Sequence, residues 1–175
     1  LYVQSGAILS NIKKLAFNNG RLFPLSLASE GSCQIGGNLA TNAGGLNVIK
    51  YGNVRDLCLG LEAVLPCGQI VSTMKPLKKN NMGFDLKNLL IGSEGTLGII
   101  TSTILKTFPI PKDPVSIFLS INNLADVLFV FEKISREFSE RILAFELIKM
   151  TGIDFIEETG FTIKNPFNKK TNWKV

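Results

Sequence analysis

At 175 residues, with 45% hydrophobic residues and a mean hydropathy of +0.24, the chain has the length and composition of a globular protein with one ordinary domain or two small ones. No apolar run approaches the length that spans a bilayer, and the N-terminal residues lack the basic, apolar and small-residue order of a signal peptide. The net charge is +5, and four of these positive charges come from lysines near the C-terminal end: Lys164, Lys169, Lys170 and Lys174. The excess charge therefore lies in a tail and does not form a basic face, so nucleic-acid binding is not expected.

The cysteine and histidine content argues against several kinds of metal and catalytic site. The chain has no histidine, and its three cysteines, Cys33, Cys58 and Cys67, form no CxxC pair. Zinc sites, Cys-His or Ser-His-Asp nucleophiles and disulfide frameworks are therefore not expected, and a reducing compartment is the simplest setting. Because the sequence begins without methionine and ends at NWKV, we expect it to be a segment of a longer polypeptide.

The first part of the chain predicts one helix and three strands. Apolar residues at helical spacing predict an amphipathic helix over residues 6–19. Residues 54–73 predict two strands joined by a turn at 65–68, where proline takes the second position and glycine the fourth, as a type I turn prefers. The β-branched residues of 98–107 predict a further strand.

A proline-rich segment, FPIPKDP at 108–114, marks a predicted boundary. Four elements are predicted after it, in the order strand, helix, strand and helix: residues 115–121, 124–138, 143–148 and 151–159. Asn123 is the predicted cap of the longer helix. Residues 160–175 show little apolar pattern and predict a loop or a frayed end.

Two glycine-rich stretches stand apart from these elements: GSCQIGGNLATNAGG at 31–45 and GSEGTLGII at 92–100. Neither matches a Walker A loop or the G-x-G-x-x-G dinucleotide fingerprint. Gly36 and Gly37 precede enough helix-forming residues for one turn, and their peptide N–H groups would face outward in a geometry that suits a phosphate. From the residues alone, a cofactor loop and a structural turn are equally supported, and both are favoured over a flexible linker.

The order of several longer strings decides between these interpretations. The strings GGNLATNAGG, YG, LGLEAVLPCG and IGSEGTLGIIT, in this order, resemble the FAD-linked oxidases and dehydrogenases that share the vanillyl-alcohol-oxidase flavin fold. Within that family the resemblance is strongest to the branch of D-2-hydroxyglutarate dehydrogenases, D-lactate dehydrogenases and the glycolate oxidase large subunit. It covers residues 1–112 strongly and 113–160 more loosely, through LAFELI.

The resemblance implies an α+β fold in two parts. Residues 1–112 would be the second, C-terminal subdomain of a PCMH-type FAD-binding domain, which is mainly an antiparallel sheet with helices. Residues 113–175 would be the incomplete beginning of an α+β substrate domain. The first FAD subdomain, with its own glycine-rich pyrophosphate loop, is expected outside this sequence, so the chain alone is expected to hold FAD weakly or not at all.

The resemblance also implies the cofactor site, with FAD bound non-covalently because the chain has no histidine to attach it. Pro24 and Leu25 would line the flavin side, and Glu94, Gly98 and Ile99 would lie by the ribose and adenine. The expected cofactor-binding residues are Pro24, Leu25, Gly31, Ser32, Ile35, Gly36, Gly37, Asn38, Thr41, Asn42, Gly44, Tyr51, Gly52, Glu94, Gly98 and Ile99. Asn42 is expected to matter more for flavin binding than Asn47, which is expected to be a solvent-facing turn residue.

The activity implied for the full-length protein is oxidation of a D-2-hydroxy acid, of the D-2-hydroxyglutarate or D-lactate type, by hydride transfer to the flavin. The family's catalytic histidines and metal ligands are expected beyond this sequence, so no catalytic or metal-binding residue is assigned to it. The alternative is a structural or weakly FAD-binding module without catalysis, and oxidation of a sugar or phenol is a third possibility that LAFELI disfavours. The expected partners are an electron-acceptor protein or a second copy of the protein. The expected location is the cytoplasm or, in a eukaryote, the mitochondrial matrix.

Overall fold

The chain divides into two compact units, Leu1–Lys112 and Asp113–Val175, and the division lies within the proline-rich segment 108–114. The computed structural model describes residues 1–77, 79–81, 83–161 and 172–175. Lys164, Lys169 and Lys170 of the basic tail lie outside the described residues. Within the described ranges, no helix is both long and apolar enough to cross a membrane.

The first unit combines strands with short helices. In chain order its elements are β1 Tyr2–Gln4, α1 Leu9–Asn18, β2 Arg21–Leu22, α2 Ile35–Ala40, α3 Val48–Tyr51, α4 Val54–Leu57, β3 Cys58–Val64, β4 Ile70–Ser72, α5 Leu86–Leu90, β5 Ile99–Leu105 and β6 Phe108–Pro109.

Strands β1, β5, β3 and β4 form one antiparallel sheet in that order, and β2 pairs separately with β6. The hairpin between β3 and β4 places Val64 opposite Ile70. In its turn the Gly68 N–H donates to the Leu65 carbonyl at 2.8 Å, and Gly68 has a φ of 83°, which glycine adopts without strain. The predicted hairpin and the mainly antiparallel sheet are confirmed.

Helix α1 contributes one face to the core of the first unit. Leu9, Ile12 and Ala16 are buried in the same apolar cluster as Leu61 of the sheet. The helix ends as expected before Gly20, whose φ of 67° and N–H bond to Phe17 close the last turn. The predicted amphipathic helix is confirmed.

Residues Val54–Leu57 differ from the prediction, because they form the helical turn α4 instead of extending the following strand. Asn53 and Asp56 form a capping box, in which the Asn53 N–H donates to Asp56 Oδ2 at 2.9 Å. The spacing of these two residues satisfies the amide groups that a helix start leaves unpaired, and this outweighs the strand preference of the flanking apolar residues.

The second unit contains β7 Ser120–Ile121, α6 Leu124–Phe138, a 3₁₀ turn at Ser139–Arg141, β8 Ile148–Lys149, α7 Met150–Glu158 and β9 Trp173–Lys174. Its three strands form an antiparallel sheet in the order β7-β9-β8. Helix α6 is capped as predicted, since Asn123 Oδ1 accepts from the Asp126 N–H at 3.0 Å. The two predicted helices of this unit are confirmed.

The strands of the second unit are shorter than predicted. Of the alternating run 115–121 only Ser120–Ile121 is a strand, and Val115 and Ile117 are exposed. Of LAFELI only Ile148 lies in a strand. A strand requires a neighbouring backbone to pair with, which alternation alone does not provide.

The expected loop or frayed end at 160–175 is wrong at its far end. Trp173–Lys174 form β9, which pairs with both β7 and β8, and residues 162–171 lie outside the described residues. The Lys174 side chain is buried, and its Nζ donates to Ser120 Oγ at 2.9 Å. A buried cation needs such polar contacts, and these also fix the end of the chain in the sheet.

Candidate functional site

The two glycine-rich stretches, 31–45 and 92–100, meet at the C-terminal end of helix α2. The Gly92 N–H donates to the Leu39 carbonyl at 3.0 Å, and the Glu94 N–H donates to the Ala40 carbonyl at 2.9 Å. These carbonyls belong to the last turn of the helix, where no intrahelical donor is available. Residues that are far apart in the sequence are therefore brought to one surface of the first unit.

The N-terminal end of helix α2 packs closely against the turn after β1. The N–H groups of Ile35 and Gly36 donate to the carbonyls of Ala7 and Ser5 at 3.0 and 2.9 Å. A Cβ at Gly36 would lie 2.6 Å from the Cβ of Ser5, so glycine is required there by packing. The expectation that the Gly36 N–H faces an anion is wrong, because the protein's own backbone takes that donor.

Gly37 differs from Gly36 in being exposed, and a Cβ there would meet no atom within 4 Å. Its peptide group lies in the first turn of α2, where N–H groups have no partner within the helix. Gly31 and Ser32 are likewise exposed, on the loop that leads into this helix. Of the glycine pair, Gly37 is the member that a ligand can approach.

The polar side chains of the first stretch bond mainly to the protein itself. The Thr41 hydroxyl donates to the Gly37 carbonyl at 3.0 Å, and Asn38 is buried with its Nδ2 3.5 Å from Cys33 Sγ. Asn42 has a φ of 48°, uncommon for a residue other than glycine, and its Oδ1 accepts from the Arg55 N–H at 3.2 Å. Asn42 therefore pins the loop to the backbone, which is one of the two roles its position predicts.

Gly44 and Gly52 sit where the chain folds tightly onto α4. A Cβ at Gly44 would lie 3.2 Å from Asn53 Oδ1, and a Cβ at Gly52 would lie 2.2 Å from Asp56 Oδ2. Gly52 also has a φ of 75°. Packing and the positive φ together require glycine at position 52, whereas a Cβ at Gly44 would only be tight against its neighbours.

Besides Asn38 and Gly98, three apolar residues of the expected cofactor site are buried. Leu25 and Ile35 lie in the apolar core of the first unit, and Pro24 is buried beside Leu25. The side chains of Leu25 and Ile35 therefore support the site from behind and do not line it. The Pro24 carbonyl accepts from Asn47 Nδ2 at 2.8 Å, so Asn47 is not the solvent-facing turn residue that was expected.

Tyr51 packs against Phe108 with the ring centroids 4.6 Å apart, and partial burial raises the pKa of its hydroxyl. The phenol is therefore neutral at physiological pH. In this position the ring supports the loop that carries Gly52, and it contacts the strand that ends the first unit.

The three residues expected near the ribose and adenine are placed differently from one another. Glu94 is exposed with a φ of 51°, and Ile99 is exposed at the start of β5. Gly98 is buried, and a Cβ there would lie 2.9 Å from the Val64 carbonyl. Glu94 and Ile99 can therefore meet a ligand with their side chains, whereas Gly98 is fixed by the sheet.

Sequence reasoning missed Arg55, Ser93 and Asn47. Arg55 bonds to Asn42 of the first stretch and to Ile91, directly before the second. The hydroxyl oxygen of Ser93 is buried without a hydrogen-bond partner in the described part of the chain. Ser93 lies between Gly92 and Glu94 of the second stretch, so its place in the motif could have indicated a role in the site. Arg55 and Asn47 act through contacts distant in sequence, which no local pattern reveals.

A separate cleft of about 490 Å³ opens on the first unit. It is lined by four cationic residues, Arg55, Lys75, Lys87 and Lys106, together with Asp56 and Asp85. None of the expected cofactor residues lines it. The surface formed by the glycine-rich stretches therefore lies outside this cleft. Arg55 borders both the surface and the cleft.

Comparison with known proteins shows which proteins the chain resembles. Residues 1–74 match the family model described as an FAD binding domain. The chain is 43% identical to a mitochondrial D-2-hydroxyglutarate dehydrogenase of Bos taurus, over 85% of this chain and 27% of that protein. It is 37% identical to a D-2-hydroxyglutarate–pyruvate transhydrogenase of Saccharomyces cerevisiae, over 94% of this chain and 34% of that protein. The chain thus spans about a third of the length of these curated relatives.

Among solved structures, an alkyldihydroxyacetonephosphate synthase superposes with a TM-score of 0.70 at 26% identity, covering 88% of this chain and 28% of that one. The resemblance to FAD-linked oxidases and dehydrogenases, inferred above from the order of the motifs, is confirmed. Residues 1–74 are the part of this chain that matches the family model of the FAD binding domain.

Proposed function

We propose that this chain is the cofactor-binding part of an FAD-dependent dehydrogenase of D-2-hydroxy acids, of the D-2-hydroxyglutarate or D-lactate type. The observation that carries the proposal is the pair of hydrogen bonds from Gly92 and Glu94 to Leu39 and Ala40. They join two glycine-rich stretches into one surface of a unit whose first 74 residues match an FAD binding domain. The names of the relatives supply the substrate class.

The residues of this surface fit a flavin nucleotide. Gly37 leaves open space over an exposed peptide group, which suits the close approach of a pyrophosphate. Ser93 holds a buried hydroxyl that has no partner among the described residues, and a polar group of a ligand would satisfy it. We propose that this chain holds FAD non-covalently, since it offers no histidine for covalent attachment.

Each part of the chain has its own role in this proposal. FAD, when bound, supplies the hydride acceptor. Gly37 and the loop before it would contact the pyrophosphate, Asn42 and Gly44 would hold the loop in place, and Glu94 and Ile99 would flank the ribose and adenine. Gly98 would keep the second stretch against the sheet. The second unit, Asp113–Val175, would be the beginning of the substrate domain, and no acid or base for catalysis is assigned to the chain.

Several relatives are named as mitochondrial proteins, and we propose the mitochondrial matrix for this chain in a eukaryotic cell. An electron-acceptor protein or a second copy of the chain is proposed as a further partner. Both proposals follow the substrate assignment and are tested after it.

The proposal is tested on the product of the complete gene, purified with its bound flavin under anaerobic conditions. D-2-hydroxyglutarate or D-lactate should bleach the visible flavin absorption, and glucose should not. Bleaching by glucose alone would favour a sugar dehydrogenase, such as the grass pollen allergen that superposes with a TM-score of 0.51 at 25% identity. Stoichiometric FAD without reduction by any of these compounds would favour a binding module without catalysis, and absence of FAD would overturn the proposal.

A further inference from the structure

Arg55 lies where the two glycine-rich stretches come together. Its guanidinium donates to the carbonyls of Asn88 and Ile91, and the bond from NH2 to the Ile91 carbonyl is 2.5 Å long. Ile91 directly precedes Gly92, so the side chain of Arg55 holds the start of the second stretch. A guanidinium has several donors in one plane, which allows it to bridge two carbonyls at once.

The backbone of Arg55 holds the first stretch. Its N–H donates to Asn42 Oδ1, and Asn42 adopts a φ of 48°. A positive φ costs free energy for a residue with a side chain, and the bond to Arg55 offsets part of that cost. Arg55 therefore contacts the first stretch through its backbone, and its side chain holds Ile91, the residue directly before the second.

Gly92 completes the contact between these groups. A Cβ at Gly92 would lie 3.0 Å from Arg55 NH2 and 3.3 Å from the Cβ of Asn42, and Gly92 has a φ of 82°. A side chain at this position would crowd the guanidinium and Asn42, and the positive φ independently favours glycine. The closeness of these three residues couples the position of one stretch to that of the other.

The charge of Arg55 is not neutralised by an ion pair in the described residues. The neighbouring carboxylate of Asp56 accepts from the Asn53 N–H instead. The guanidinium thus serves as a donor to carbonyls, a geometric role that an ammonium fills only in part.

We propose that Arg55 is a positioning residue that couples the two glycine-rich stretches and thereby sets the affinity for FAD, an inference that rests on the proposed function. A nucleotide that contacts both stretches binds only when both are in place. If the coupling is lost, the second stretch occupies its bound position for a smaller fraction of the time, and the apparent affinity falls by that fraction.

The test compares Arg55→Met and Arg55→Lys with the control Arg21→Met. Arg21 also donates a guanidinium bond to a backbone carbonyl, that of Thr107 at 2.9 Å, but it lies in β2, away from both stretches. Three quantities are measured: the dissociation constant for FAD, the melting temperature, and the hydrogen-exchange rates of the Gly92 and Glu94 amides. FAD is titrated to millimolar concentration.

Arg55→Met should raise the FAD dissociation constant by about tenfold, the loss of roughly one hydrogen bond to a charged group. The Gly92 and Glu94 amides should exchange faster in the same variant. Arg55→Lys should give intermediate values, since one ammonium replaces a bidentate group. Arg21→Met should lower the melting temperature without changing FAD affinity or these two exchange rates.

Unchanged FAD affinity in folded Arg55→Met, with only a lower melting temperature, would overturn the inference. If Arg55→Met does not fold, Arg55→Lys decides, and wild-type affinity and exchange in that variant would count against the coupling. If the unaltered chain alone binds no FAD, the proposed function of the full-length protein is not contradicted, and amide exchange alone decides the coupling. Faster exchange at Gly92 and Glu94 in the Arg55 variants would then support the coupling, and unchanged exchange would refute it.

Discussion

The two units of the chain differ in how they bury apolar side chains. In Leu1–Lys112, helix α1 and the sheet share one apolar cluster, in which Leu9 and Leu61 are completely buried. In Asp113–Val175, Leu128 and Phe129 of α6 are 70% and 66% exposed. The positions of the glycine-rich stretches in the first unit are thus fixed by a core and by loop-to-loop bonds. The second unit relies on fewer buried contacts, so we expect substitutions of the same kind to have smaller effects there.

The largest effect is expected at Gly45, within the first glycine-rich stretch. Gly45 has a φ of 99°, and a Cβ there would lie 2.2 Å from the Ser26 carbonyl oxygen. Gly45→Ala should lower the free energy of unfolding of the first unit by about 3 kcal/mol or more, because both backbone strain and overlap must be relieved. Denaturant unfolding measures the change.

Gly31→Ala is the matched control, because a Cβ at Gly31 meets no atom within 4 Å. Its effect on the free energy of unfolding should stay within about 0.5 kcal/mol. Similar effects of the two substitutions would mean that the loop is not held against Ser26 as described.

The next prediction compares a leucine-to-alanine substitution in each of the two units. Leu61→Ala removes a completely buried side chain from the sheet and should lower the free energy of unfolding of its unit by about 3 kcal/mol. Leu128→Ala alters a side chain that is 70% exposed and should change the stability of its unit by less than about 0.5 kcal/mol. A large loss of stability from Leu128→Ala would contradict the exposed position of this side chain.

The smallest effect concerns the start of α6. Asn123 accepts from the Asp126 N–H, and Asn123→Ala should cost about 1 kcal/mol of helix stability. Asn122→Ala, one residue earlier and outside the cap, is the control and should have almost no effect. Circular dichroism during thermal unfolding distinguishes the two, and equal losses would remove Asn123 as the cap.

Local patterns predicted the elements whose signals are local. The spacing of apolar residues predicted α1 and α6, and Pro66 with Gly68 predicted the hairpin. The capping box of Asn53 and Asp56 was also a local signal, and overlooking it gave the wrong structure for Val54–Leu57. Strand lengths in the second unit failed because pairing with β9 depends on residues about 50 positions away, as in Ser120 and Lys174.

The location of the candidate site stays a prediction, while several of its expected contacts differ in the structure. The glycines were expected to leave N–H groups for a ligand, yet Gly36 donates to Ser5 and Gly45 packs against Ser26. Sequence shows that a position needs glycine but not which neighbour requires it. The role of Arg55 depends on contacts with residues more than 30 positions away, which only the folded chain brings together.

The central claim is that two coupled glycine-rich stretches of the first unit form the FAD surface. Backbone amide chemical shifts, followed by NMR while FAD is added to millimolar concentration, test it most directly, because the method detects weak binding residue by residue. We predict that shifts concentrate at residues 31–45 and 92–99, with few in 113–175. Shifts confined to the second unit or to the cationic cleft would contradict the account.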